Sequence, residues 1–182
     1  MTRSIVRPFY VFLMCVALAY LEVQIEGPNG WAAALPTWRT LDPRLTWVFG
    51  GRPVTGYHVG LTAFILLALH WPILFKSWTF VDECRVLHSY AMMAFVWDFL
   101  WFVLNPSFGL ARYDATHVWW FRSWFLGVPV DYLIAAGTAV FLRLLPAIVR
   151  RESMPDGLRE ALYGLLIPVL GAALVAVLSL VG

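Results

Sequence analysis

The chain has 182 residues, of which 61% are apolar and 13% charged, and its formal net charge is +2. Soluble domains carry about 25% charged residues, so a surface facing water on all sides is excluded, and without a dense basic run the chain lacks the electrostatic footprint of a nucleic-acid binder. The apolar residues fall into long blocks near the roughly 20 residues that cross a hydrocarbon core, which predicts an all-α integral membrane protein, a single polytopic domain over 1–182 with five transmembrane helices in one bundle.

The first block, 8–25, follows Arg3 and Arg7 as the core of a signal peptide would. Glu22 stands where a small-residue cleavage site is expected, so the block reads as an uncleaved span. Glu22 and Glu26 are four residues apart, about 40° around a helix, which puts both carboxylates on one face just before the turn Gly27-Pro28-Asn29-Gly30. The connector 27–56 carries Trp31, Trp38, Arg39 and Trp47. The second span, 57–76, has His58 at its start and His70 near its end.

Asp82 and Glu83 precede the third span, 84–104, where acidic groups favour a helix N-terminus. His88 lies near its start. Trp97 and Asp98 lie near its end, Asp98 roughly 10 Å short of Asn105-Pro106. An ionised carboxylate at that depth costs several kcal/mol unless it faces the bundle interior and has a partner, and Arg39, Arg52, Arg112 and Arg122 are the candidate cations. Cys15 and Cys84 fall at different depths, so no disulfide is expected.

In the connector 105–128, the stretch 114–125 (DATHVWWFRSWF) is expected to form a short interfacial helix, N-capped by Asp114 and carrying His117 and Trp119, which lies as a cover over the bundle. The fourth span, 129–149, opens with Pro129 and Asp131, and Arg143 is expected to snorkel out of it. The fifth, 158–181, lines up Gly164, Pro168 and Gly171 for close helix contact.

Orientation follows from the cations. Arg3, Arg7, Lys76, Arg85, Arg143, Arg150, Arg151 and Arg159 fall on one side and Arg39, Arg44, Arg52, Arg112 and Arg122 on the other. Eight against five places the N-terminus in the cytoplasm and, with five spans, the C-terminus and both long connectors outside, in a multi-pass inner-membrane protein. Eight of the ten tryptophans then gather in the outer half, more lopsided than a symmetric aromatic belt.

The same half collects Glu22, Glu26, His58, Asp98 and His117. Mixed carboxylate and imidazole sets suit iron, manganese, zinc or copper, so the expectation is a metal-dependent enzyme acting on a lipid-soluble substrate. In it Asp98 and Glu26 handle protons, Trp38, Trp97 and Trp119 line an apolar entrance, and Arg39 or Arg112 holds an anionic headgroup. Two alternatives stand beside it. One is a noncatalytic accessory subunit that binds lipid, pigment, further copies of itself or a larger membrane complex. The other is a haem b carrier with axial pairs His58/His117 and His70/His88, although twelve residues between His58 and His70 turn their side chains about 120° apart.

Overall fold

The computed structural model describes residues 2–46, 51–150 and 153–181; Trp47 and Arg151, counted above, lie outside them. Helix α1 spans Thr2–Glu26. The connector after it holds strand β1 (Arg39–Thr40), the single turn α2 (Pro43–Thr46) and strand β2 (Val54–Thr55), with β1 and β2 paired antiparallel. Helix α3 (Gly56–His70) is followed by a 3-10 turn, then come α4 (Phe80–Leu104), the short hairpin β3 (Trp124–Phe125) and β4 (Val128–Pro129), α5 (Val130–Arg150) and α6 (Met154–Val181).

Five of these helices are long and apolar enough to cross a membrane, and the chain is a multi-pass all-α membrane protein. The starts of two of them carry the expected chemistry. The Thr55 hydroxyl accepts the His58 amide at 3.2 Å to begin α3, and the Thr79 hydroxyl accepts the Asp82 amide at 3.1 Å to begin α4. Each satisfies one of the amides that a first helical turn leaves free. As a result α4 begins four residues earlier than hydropathy alone suggests, because Asp82 and Glu83 belong to its first turn.

Helix α4 is the hub, packed against α1, α5 and α6 and more lightly against α3. Its sequence has almost no polar face because three neighbours cover it. Two contacts between α1 and α4 show that successive spans alternate in direction. The start of α1 meets the start of α4 through Arg7 and Ser89, and the end of α1 meets the end of α4 where the Trp97 indole donates to Glu22. The bundle thus has an end bearing both long connectors and an opposite end with short ones. At the first, the buried Asn105 donates to the Gly27 carbonyl at 2.7 Å and ties the exit of α1 to the exit of α4.

The segment 114–125 covers the bundle, but not as a helix. It is a chain of turns running into β3. The Asp114 carboxylate accepts the amides of Thr116 and His117, the Thr116 hydroxyl and the His117 ring, a local Asx-type turn that competes with helix propagation. Past it, Val118, Trp120 and Phe121 are buried while Trp119 and Arg122 are exposed, a pattern that suits a lid pressed down from one side. Leu126 and Gly127, with φ of 49° and 79°, form the two-residue tip of the β3–β4 hairpin, where positive φ at both positions matches the strand twist.

Arg143 also departs from expectation. It does not snorkel outward: it is buried at 5% exposure and its guanidinium binds Glu160 of α6. Its charge finds a carboxylate inside the bundle, so no extended route to water is needed.

Candidate functional site

At the end with the long connectors a cavity of about 450 Å³ opens between α1, α3, α4 and α5. Its size is that of a small-ligand site. The i, i+4 spacing of Glu22 and Glu26 brings both carboxylates to its wall, and the Thr55 cap sets His58 one turn into α3 beside them. One ligand atom from each of Glu22, Glu26 and His58 lies within 4.8 Å of the others, and all three residues are buried.

Each of the three is held by a neighbour. Glu22 accepts the Trp97 indole N–H at 2.7 Å on one oxygen and the Tyr57 hydroxyl at 3.2 Å on the other. Glu26 accepts the Ala32 amide at 2.5 Å. His58 Nδ1 shares a 2.7 Å hydrogen bond with the Thr55 hydroxyl, which leaves Nε2 for a ligand, and its ring stacks on Trp31 at 4.1 Å. The Ala32 amide reaches Glu26 because Trp31 and Ala32 both adopt left-handed backbone, with φ of 55° and 51°. Such residues cost on the order of 1 kcal/mol each and persist where the surroundings dictate them. Here the Trp31 indole is pinned by the Pro53 carbonyl at 2.8 Å.

Asp98 lines the same cavity. Its partner is not an arginine: the Tyr132 hydroxyl of α5 donates to it. The candidate cations go elsewhere. Arg39 donates to the carbonyls of Ala32, Ala33 and Leu35 and laces the first connector, Arg112 reaches the Ser107 carbonyl, and Arg122 the Gly51 carbonyl. Arg52 pairs with Asp131 at 3.0 Å, between the rings of Trp31 and Phe121, each 4.6 Å away. Asp131, expected only to favour the start of α5, thus anchors Arg52, the one arginine in the cavity wall among the described residues.

Other expected site residues lie apart from this cluster. His117 is half exposed and bound to Asp114 at 2.8 Å; the turn that replaced the expected helix directs its ring to its own loop. Trp38 and Trp119 are exposed at 58% and 57%, whereas Trp31, Trp97, Trp101 and Trp120 line the cavity. The histidines expected to pair as axial ligands have four separate settings. His70 binds the Leu66 carbonyl and Glu83, and His88 binds the Ala139 carbonyl at 2.8 Å.

Among the described residues, four carboxylates line the cavity, Glu22, Glu26, Asp98 and Asp131, against one guanidinium, Arg52. Two N–H groups in the wall, Arg52 Nε and Trp101 Nε1, are buried without a hydrogen-bond partner among the described residues. Buried donors are rarely left so, and a ligand acceptor would satisfy them. Tyr113 lies beside Tyr132, ring centroids 6.4 Å apart, and burial raises its phenol above the usual range. No protein-family model matches the chain, and no curated protein or solved structure matches it.

Proposed function

We propose that the protein is a membrane-embedded, metal-dependent enzyme acting on a lipid-soluble substrate, with Glu22, Glu26 and His58 as metal ligands and Asp98 as the proton-handling group. The observation that carries this reading is the charge imbalance of the cavity. With Arg52 and Asp131 paired, three carboxylates remain with no cation among the described residues. Uncompensated charge is costly in an apolar bundle. A divalent transition metal supplies the missing positive charge, and the ligand set is the mixed carboxylate and imidazole type that such ions favour.

The surroundings agree. Metal ligands are usually oriented by second hydrogen bonds, and Trp97 and Tyr57 for Glu22, Ala32 for Glu26 and Thr55 for His58 are such bonds. Tetrahedral ligands lie roughly 3.4 Å apart around a zinc-like ion, so the observed spread closes with small side-chain shifts. A bound ion would act as a Lewis acid on a substrate oxygen. Asp98, hydrogen-bonded by Tyr132, stands in the same cavity to give or take a proton, and the unpartnered N–H groups of Arg52 and Trp101 offer donors to a substrate oxygen. The aromatic walls fit an apolar substrate body. The excess of Lys and Arg at the opposite end orients this cavity toward the outer face of the cytoplasmic membrane.

Elemental analysis of the purified protein tests the reading. About one equivalent of iron, manganese, zinc or copper per chain is expected, falling by at least about tenfold in occupancy in Glu22→Gln and His58→Ala, with helix content by circular dichroism unchanged. Protein that stays metal-free after incubation with each ion in turn would overturn it.

A further inference from the structure

The other end of the bundle carries the opposite imbalance. Arg7 of α1, Arg85 of α4 and Arg143 of α5 converge there on one carboxylate, Glu160 of α6. Arg143 and Arg85 both bind Glu160, the latter at 3.4 Å, so one anion is divided between two cations. Arg7 donates to the Ser89 hydroxyl at 3.3 Å and has no carboxylate partner among the described residues, although it lies within electrostatic reach of both other arginines. Asp82, the other acid within electrostatic reach of Arg7 among the described residues, is occupied by Lys76 at 2.6 Å. Three guanidinium groups thus share the field of one carboxylate, Glu160, which offsets only part of their charge.

A cavity of about 410 Å³ opens beside this cluster, with Arg85, Arg143 and Arg159 in its wall. Arg159 is half exposed and pairs with Asp156 at 2.8 Å. Ser153, just before α6, and Asp156, Gly157 and Glu160 of its first two turns form another part of the wall; the partial positive charge of a helix N-terminus adds to that of the arginines. Among the described residues, Arg85, Arg143 and Arg159 in this wall face Glu160 and Asp156, a surplus of one positive charge, and Arg7, which lines the adjoining narrow pocket with Arg85, Arg143 and Glu160, raises the surplus of the whole cluster to two. Since residue 7 and residue 22 are fifteen residues apart on α1, the cluster is roughly 22 Å from the carboxylate cavity and separate from it.

We infer that this cavity binds a phosphate dianion, either the phosphomonoester headgroup of a lipid or free hydrogen phosphate. Planar guanidinium groups bind phosphate oxygens in pairs, and two negative charges balance the surplus. A phosphate seated there competes with Glu160 for Arg85 and Arg143.

The test uses full-length protein in an uncharged maltoside detergent and phosphate-free buffer, titrated calorimetrically with inorganic phosphate and with short-chain phosphatidic acid in mixed micelles, phosphatidylcholine of the same chain length being the control. One binding site per chain is expected, and no binding of phosphatidylcholine. Arg85→Gln and Arg159→Gln each weaken binding about tenfold, and Glu160→Gln, which frees two arginines, tightens it several-fold. Arg159 is exposed, so its variant reports on binding even where a change at Arg85 or Glu160 disturbs folding. Binding of phosphatidic acid without displacement by inorganic phosphate assigns a headgroup, and binding of both with mutual displacement assigns the free anion. Binding of neither, or binding to Arg159→Gln with the affinity of the unaltered protein, overturns the inference.

Discussion

Arg52 shows how one side chain sets the character of the carboxylate cavity. Its guanidinium is held by Asp131 and by two aromatic faces at equal distance, and Trp31, one of those faces, also stacks on His58. Replacing Arg52 therefore removes a cation–π sandwich, leaves Asp131 unpaired and loosens the ring that backs a proposed ligand. Arg52→Met, which keeps most of the packing, is expected to lower stability by about 2 kcal/mol, less than a fully buried pair because Asp131 is a third exposed. Adding Asp131→Asn should recover a good part of that loss, since no carboxylate is then left without its cation. Thermal unfolding in detergent checks this; a single variant with an unchanged midpoint would show that the pair contributes nothing. None of this was legible from the sequence. Arg52 read only as one of four candidate partners for Asp98, and Asp131 as an N-terminal acid, because their meeting depends on how the first connector folds back over α5.

At the scale of elements, the helices were legible and the lids were not. A run of apolar residues of membrane length leaves the backbone only one way to satisfy its hydrogen bonds, so the five spans follow from composition to within a few residues. Glu22 and Glu26 follow equally directly, because helical spacing fixes their common face. The segment 114–125 has no such constraint, and an N-cap residue there proved to be the centre of a closed turn. That turn carries a pH dependence. Hydrogen bonds from Thr116 and His117 hold the Asp114 carboxyl well below the usual carboxylate range. A group whose pKa is depressed in the folded chain stabilises it at pH values above the unfolded pKa, about 3.9, and loses that contribution as the pH falls toward the folded value. Hydrogen exchange at the Thr116 and His117 amides, both bound to Asp114, should stay slow from pH 7 to pH 5 and lose protection below about pH 4, after correction for intrinsic rates. Asp114→Asn should abolish the acid-induced step, and an identical step in that variant would place its origin elsewhere.

Across the whole molecule, the two ends are electrostatic opposites. Carboxylates exceed cations in the cavity under the long connectors, and arginines exceed carboxylates at the other end, with the apolar middle of α4 between them. The cation count along the sequence already distinguished the ends, but a count cannot say that Arg143 turns inward to meet Glu160 or that Tyr132 meets Asp98, since both pairings depend on how α5 packs against α4 and α6. The alternation of spans that underlies this polarity makes a prediction about accessibility. Two spans separate Leu41 from Leu126, and one separates Leu41 from Trp78. All three side chains are exposed, at 72%, 88% and 59%. Cys15 and Cys84 are buried, at 0% and 2% exposure, so the unaltered protein should be silent to a membrane-impermeant maleimide. Leu41→Cys and Leu126→Cys should be labelled from the same face of the membrane and Trp78→Cys only from the other, in intact cells compared with inverted vesicles. Labelling of positions 41 and 126 from opposite faces would mean an odd number of crossings between them, and would take Asp98 and Tyr132 away from Glu22 and His58.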